Sequence, residues 1–169
     1  KLDRAMAIDP GWAETCFLSG LLLAREGRAA EAAPELIAPL AEHPENLGRF
    51  SEFCRKLIVY DLVSPLNDML ERYVSEASEE WIYHALLGVT AFWTGNPAGS
   101  LEGLDAAMSL LPDADVGQVF GVIVSFSKLS PHFRAGLPAV APGWREKLSR
   151  NEKGESLLLE LDKLLEGPQ

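Results

Sequence analysis

Residues 81–114 read WIYHALLGVTAFWTGNPAGSLEGLDAAMSLLPDA, and this stretch decides the fold. Leu87 and Gly88 sit in the middle of an apolar run that stops at Gly95, and a second run carrying Ser100, Leu104 and Ala107 closes on Pro112. Two runs of helical length on either side of a glycine predict two helices joined by a tight turn. A small residue inside the first helix lets the second lie close against it. A glycine at the turn takes the positive φ that reverses the chain, and a closing proline cannot continue the helix.

The same marks recur outward from this stretch at intervals of 34 residues. Pro10 and Pro44 are 34 apart, and Pro112 falls at twice that interval beyond Pro44. Gly20 and Gly88 are separated by two such intervals with Cys54 midway, and Gly27 and Gly95 repeat the pattern with Asp61 midway. A period of 34 is the mark of stacked helix pairs, an architecture that presents a surface to another molecule.

Three units follow: 13–46 with Ser19, Gly20, Leu23, Gly27, Ala32, Leu36 and Pro44; 47–80 with Phe53, Cys54, Leu57, Leu66, Leu70 and Ser78; and 81–114. On these positions the chain resembles the tetratricopeptide repeat family over residues 1–112. The resemblance implies an all-α, right-handed α-solenoid of antiparallel helix pairs. Helices are expected near 12–26, 29–42, 47–59, 65–76, 80–94, 97–110 and 115–128, with Leu23, Leu36, Phe53, Leu70, Leu87 and Leu104 facing inward. Leu2, Ala5 and Pro10 fit the second helix of a preceding unit, so residues 1–12 read as a partial repeat and the chain as a fragment of a longer array or protein. Pro34 and Pro39 each remove a backbone donor, which predicts that the second helix of the first unit bends or starts late.

Beyond residue 114 the pattern fails. Residues 115–128 still read as an extra helix completing an array over 1–129, but Pro131, Gly136, Pro138, Pro142 and Gly143 predict an irregular connection across 130–143. A short helix near 144–150 and a leucine-rich one over 155–166, stopped by Gly167 and Pro168, then form the rest of a C-terminal cap, 130–169.

Composition narrows the function. A formal net charge of −10 argues against nucleic acid, because counterion release needs clustered Lys and Arg. The short basic stretches at 49–56 and 145–153 each contain Glu and read as solvated helix faces. No apolar run reaches the length of a membrane span, and a cytoplasmic location is expected. Cys16 and Cys54 fall at inward slots as buried thiols, and His43, His84 and His132 have no second ligand at helical spacing. His84 reads as a packed imidazole and His43, at a helix end, as a cap for free carbonyls. No catalytic, metal-binding or cofactor-binding constellation is expected.

The resemblance also implies a site. Positions 2, 5, 9, 12 and 13 of each unit face the concave surface in that family, which here include Phe17, Leu21 and Arg25 in the first unit, Arg55, Ile58 and Val59 in the second, and Val89, Phe92 and Trp93 in the third. With only Arg25 and Arg55 cationic on this face, an apolar or amphipathic protein segment is the implied partner, anchored on Phe92 and Trp93 and bordered by Phe17, Leu21, Arg25, Arg55, Val59 and Val89. The resulting expectation is a protein–protein interaction scaffold without catalysis of its own. Two other readings stay open: an accessory domain of a larger enzyme such as a bacterial glycosyltransferase, and a secretion or assembly chaperone.

Overall fold

A computed structural model of the chain describes residues 13–76 and 80–166, and these are helical throughout, with no strand among them. The expected partial repeat at 1–12, Ser78, and the stop signals Gly167 and Pro168 lie outside the described residues. In chain order the helices are α1 (Ala13–Arg25), α2 (Ala29–Glu42), α3 (Asn46–Leu57), α4 (Ser64–Glu76), α5 (Trp81–Trp93), α6 (Pro97–Leu110), α7 (Val116–Leu129), α8 (Pro131–Ser149) and α9 (Gly154–Glu166). Short 3-10 turns, Ile58–Tyr60 and Asp113–Asp115, extend α3 and precede α7.

The 34-residue marks have a common geometry. Gly27, Asp61 and Gly95 all take positive φ, at 76°, 51° and 85°. At each, the residue's own N–H returns to a carbonyl three residues back and the next N–H to one five residues behind it: Gly27 to Ala24 and Arg28 to Leu23, Asp61 to Ile58 and Leu62 to Leu57, Gly95 to Phe92 and Asn96 to Ala91. This double closure satisfies the orphan carbonyls at a helix end. Asp61 fills a glycine role because a short polar side chain tolerates the left-handed region, and Ser64 Oγ donates to its Oδ1 at 3.0 Å.

The inner glycines set how closely each pair closes. A Cβ built on Gly20 would lie 2.7 Å from Leu36 in α2, and one on Gly88 would lie 2.8 Å from Leu104 in α6. Both leucines stand 16 residues after their glycine, and α1 packs on α2 and α5 on α6 as close antiparallel neighbours. The second unit has Cys54 and Leu70 at the same spacing. Both are fully buried, but a thiol replaces the empty socket, and among the described residues α3 and α4 do not pack as a pair. Instead α3 lies on α1, α5 and α7, while α4 lies on α1, α2 and α5. A buried hydrogen bond from Thr90 Oγ1 to Asn67 Oδ1, 3.0 Å, fixes α4 to α5.

Contacts also join helices far apart in the chain. In an ideal linear array each unit touches only its neighbours, whereas here α2 reaches α5 and α3 reaches α7, each skipping a unit. The helix they surround, α5, buries Ile82, Tyr83, Ala85, Leu86, Gly88, Val89, Thr90 and Ala91, close to its whole circumference. A helix apolar all round belongs in a core. Leu36, Leu70 and Leu104 are buried as expected; Leu23, Phe53 and Leu87 are corrected to half-buried residues at the edge of the core.

Of the expected effects of proline, a late start of the first-unit helix and an irregular connection at 130–143 are corrected. The first-unit helix does not start late, because α2 begins at Ala29 and carries both Pro34 and Pro39 inside it. Asn46 Nδ2 donates to the Pro39 carbonyl at 2.9 Å near the helix end, and His43, expected to cap, meets Glu45 at 3.2 Å instead. The expected irregular connection across 130–143 is the larger error, since α8 runs unbroken through Pro138 and Pro142. Ser130 Oγ accepts from the Phe133 N–H at 3.2 Å as its N-cap, with Pro131 in the first turn, where no donor is needed. Pro138 and Pro142 are exposed, so the carbonyls they leave without helical donors lie on the side open to water.

The buried face of α8 carries Phe133, Leu137, Ala141, Trp144 and Leu148. Trp144 Nε1 donates to Asp105 Oδ1 of α6 at 2.6 Å, and Asn151 Nδ2 donates to the Asp113 carbonyl at 2.7 Å. Gly136 is a contact glycine rather than a breaker: its Cβ would meet Leu101 of α6 at 2.6 Å. Helix α9 packs on α8 and α7, with Arg145 and Asp162 bridging the last two helices at 2.5 Å.

Candidate functional site

The first-helix positions do not share one open face. Phe17, Leu21 and Val89 are buried in the core, Phe17 edge-on to Phe50 with ring centroids 5.1 Å apart. Their expected place on a binding surface is corrected, because neighbouring helices cover them and leave no side-chain face for a partner. Phe92 is stacked on Phe126 of α7 at 3.7 Å between centroids and meets Phe133 of α8 edge-on at 5.8 Å. Phe92 is half-buried, packed against the edge of the core through these rings.

Trp93 behaves differently. It stands edge-on to Phe92 and Phe126 at 5.2 and 6.0 Å, and its Nε1 donates to Ser51 Oγ on α3 at 3.2 Å. The ring is half-buried, with its polar edge satisfied and part of its apolar body left uncovered. It lines a cavity of about 210 Å³ between α3 and α7, together with Glu45, Gly48, Ser51 and Glu52 on one side and Gly117, Gly121, Val122, Ser125, Phe126 and Leu129 on the other.

Small residues make this a groove. A Cβ added at Gly48, Gly117 or Gly121 would meet nothing within 4 Å. Glycine inside a helix is destabilising relative to alanine, so open space in front of three helical glycines leaves a channel that larger side chains would fill. Trp93 also borders a second depression, formed with Ile58, Asp61, Val63, Ser64, Thr94 and Gly95 at the turns of the second and third units.

Beside that depression the chain exposes consecutive large apolar residues, Ile58, Val59 and Tyr60, at 41%, 77% and 70%. Unit equivalence pairs Val59 with Arg25 and Trp93, and Tyr60 with Glu26 and Thr94. Helix α3 gives way to a 3-10 turn after Leu57, and no described helix covers this segment's side chains. Leu129, 61% exposed, ends the groove along α7. An apolar lip of this kind is informative because it is contiguous, unlike singly scattered surface leucines.

The two cations expected at the site lie on the surface. Arg25 is exposed at the last turn of α1. Arg55 donates from Nε and Nη2 to Glu52 at 2.9 and 2.6 Å, and this exposed pair holds the guanidinium pKa above its usual value. Such a pair orders a rim but contributes little stability in water.

Chemistry is sparse around the groove. Among the described residues no group of three His, Cys, Asp or Glu is placed to hold a metal ion. Burial pushes the Cys54 thiol pKa well up, so it is a neutral packing group at physiological pH. Cys16 is half-buried. No described helix is long and apolar enough to cross a membrane.

The sequence pattern pointed to Trp93, Val59 and Arg55, and through position 2 of the second unit to Gly48, but it missed Gly117, Gly121 and Ser125. The signal for the last three was present as small residues four apart on one helix face. The chain matches no known family model, no curated protein and no solved structure.

Proposed function

We propose that the chain is a protein-interaction module that receives an apolar or amphipathic segment of a partner in the groove between α3 and α7. In this reading the helix pairs are a right-handed tetratricopeptide-like array whose second unit has opened, so that the groove lies over α5 between non-adjacent first helices. Recurrence of the same turn closure at Gly27, Asp61 and Gly95 supports the array reading.

The single observation that carries the functional reading is the state of Trp93. A tryptophan held by Ser51, half-covered, at the floor of a glycine-lined channel and beside the exposed Ile58–Tyr60 lip has the makings of an interface anchor. A partner side chain would pack on the indole, and its backbone would run close to the α7 surface where Gly117 and Gly121 leave room. The apolar lip would add area at the end of the groove.

The test is capture of a partner from extract of the cells that make the protein, comparing wild type with Trp93→Ala. Trp93→Ala is expected to weaken capture by about 2 kcal/mol, near thirtyfold, with helix content retained. Phe92→Ala is the companion variant; half-buried and stacked on Phe126, it is expected to lower stability by about 1–3 kcal/mol. Capture by folded Trp93→Ala at wild-type strength would place the partner elsewhere.

A further inference from the structure

A second cavity, about 530 Å³, opens where the end of α7 meets the first turns of α8 and the last turn of α9. It shares no residue with the groove over Trp93. Its walls include Pro131, Pro138, Leu164 and Leu165, and among the described residues its charged groups are Lys128 and Arg134, with no carboxylate beside them in the lining. In a chain of net charge −10, a cavity carrying cations alone runs against the overall balance.

Both cations are available. Among the described residues neither Lys128 nor Arg134 has an ion-pair partner. Arg134 Nε donates to the Leu164 carbonyl at 3.0 Å, which fixes the guanidinium plane while its terminal nitrogens keep their donors. A guanidinium held in this way loses less freedom when it engages an anion, and its planar fork matches a carboxylate. The 19-residue helix α8 begins at Pro131, in the cavity wall, and its N-terminal dipole favours negative charge nearby.

We propose that this cavity binds an organic carboxylate with an apolar body, of the medium-chain fatty acid type. The carboxylate accepts from Arg134 and Lys128, and the hydrocarbon lies against the prolines and leucines. The volume falls within the range of about 300–1,000 Å³ common for small-molecule sites. No bond is made or broken; the proposal is for binding alone, and it stands independently of the groove.

The probes are decanoate, decanol and decyltrimethylammonium, each titrated below its aggregation concentration into the nitrogen-15-labelled chain while amide shifts are followed. Decanoate is expected to move the amides of 127–135 and 164–165, more weakly as salt rises, while the cationic probe leaves them in place. Lys128→Gln removes a surface charge, and Ala135→Trp fills the cavity from an exposed position. Both are expected to keep the wild-type circular dichroism spectrum and to weaken decanoate by about tenfold, the order expected for one charged partner. Equal binding of decanol, decanoate binding unchanged in Lys128→Gln, shifts centred elsewhere, or no shift at all would each overturn the proposal.

Discussion

A Cβ added to Gly103 would lie 2.8 Å from the backbone nitrogen of Gly88, so at this point α5 and α6 meet backbone to backbone. The same addition would meet the His84 carbonyl at 2.9 Å. Neither atom can swing aside. Gly103→Ala is therefore expected to force the pair apart and lower stability by about 1–3 kcal/mol, as overpacked cores do. Gly117→Ala meets open space within the same kind of helix and is expected to raise stability by about 0.4–1 kcal/mol through the unfolded chain. Urea denaturation of the two variants checks both signs.

Cys54 marks the place where the repeat departs from its own rule. Its buried thiol is expected to resist iodoacetamide at neutral pH in the folded chain and to react once the chain is unfolded in urea. Burial raises the folded pKa, so the folded state prefers the protonated thiol. The associated stability is fully present below the unfolded value of about 8.5 and is lost as pH rises from there toward the folded value. Unfolding free energies measured between neutral and alkaline pH should therefore fall more steeply for wild type than for Cys54→Ala.

Trp144 joins the C-terminal helices to the rest of the protein through its 2.6 Å hydrogen bond to Asp105. Trp144→Phe keeps most of the ring but leaves that carboxylate without its donor, and is expected to lower stability by about 1.5–3 kcal/mol. Adding Asp105→Leu to Trp144→Phe should recover part of the loss, because neither polar partner then remains. Thermal or urea unfolding of the single and double variants measures the recovery.

The first seven helices were legible because each carries two independent signals, an apolar period and a recurring turn residue. Their ends differ from expectation by only a residue or two, except at α3, where a 3-10 turn takes the last expected residues. Helix α8 was legible only in its last turns, as the short helix expected near 144–150. Its prolines and glycines outweighed an apolar period at Phe133, Leu137, Ala141, Trp144 and Leu148, and only the packed structure places the prolines on the exposed face. The closed centre was hidden for a different reason. Cys54 looks like an acceptable small residue in sequence, yet the Leu36 and Leu104 contacts need no side chain at all opposite them. Phe17, Leu21 and Val89 are core, while Phe92 and Trp93 both stay half-buried at its edge, Phe92 stacked on Phe126 and Trp93 lining the groove.

The central claim is that the groove between α3 and α7 holds the partner, and Gly121→Leu tests it most directly. A leucine there projects into the channel from a helix position with nothing within 4 Å, so the fold has no reason to change. Gly143→Leu places the same side chain at an equally open, exposed helix position outside the groove. With both variants folded by circular dichroism, capture from cell extract is expected to fall at least about tenfold for Gly121→Leu, on the scale of one blocked anchor, and to be unchanged for Gly143→Leu. Equal capture by Gly121→Leu and wild type would contradict the account.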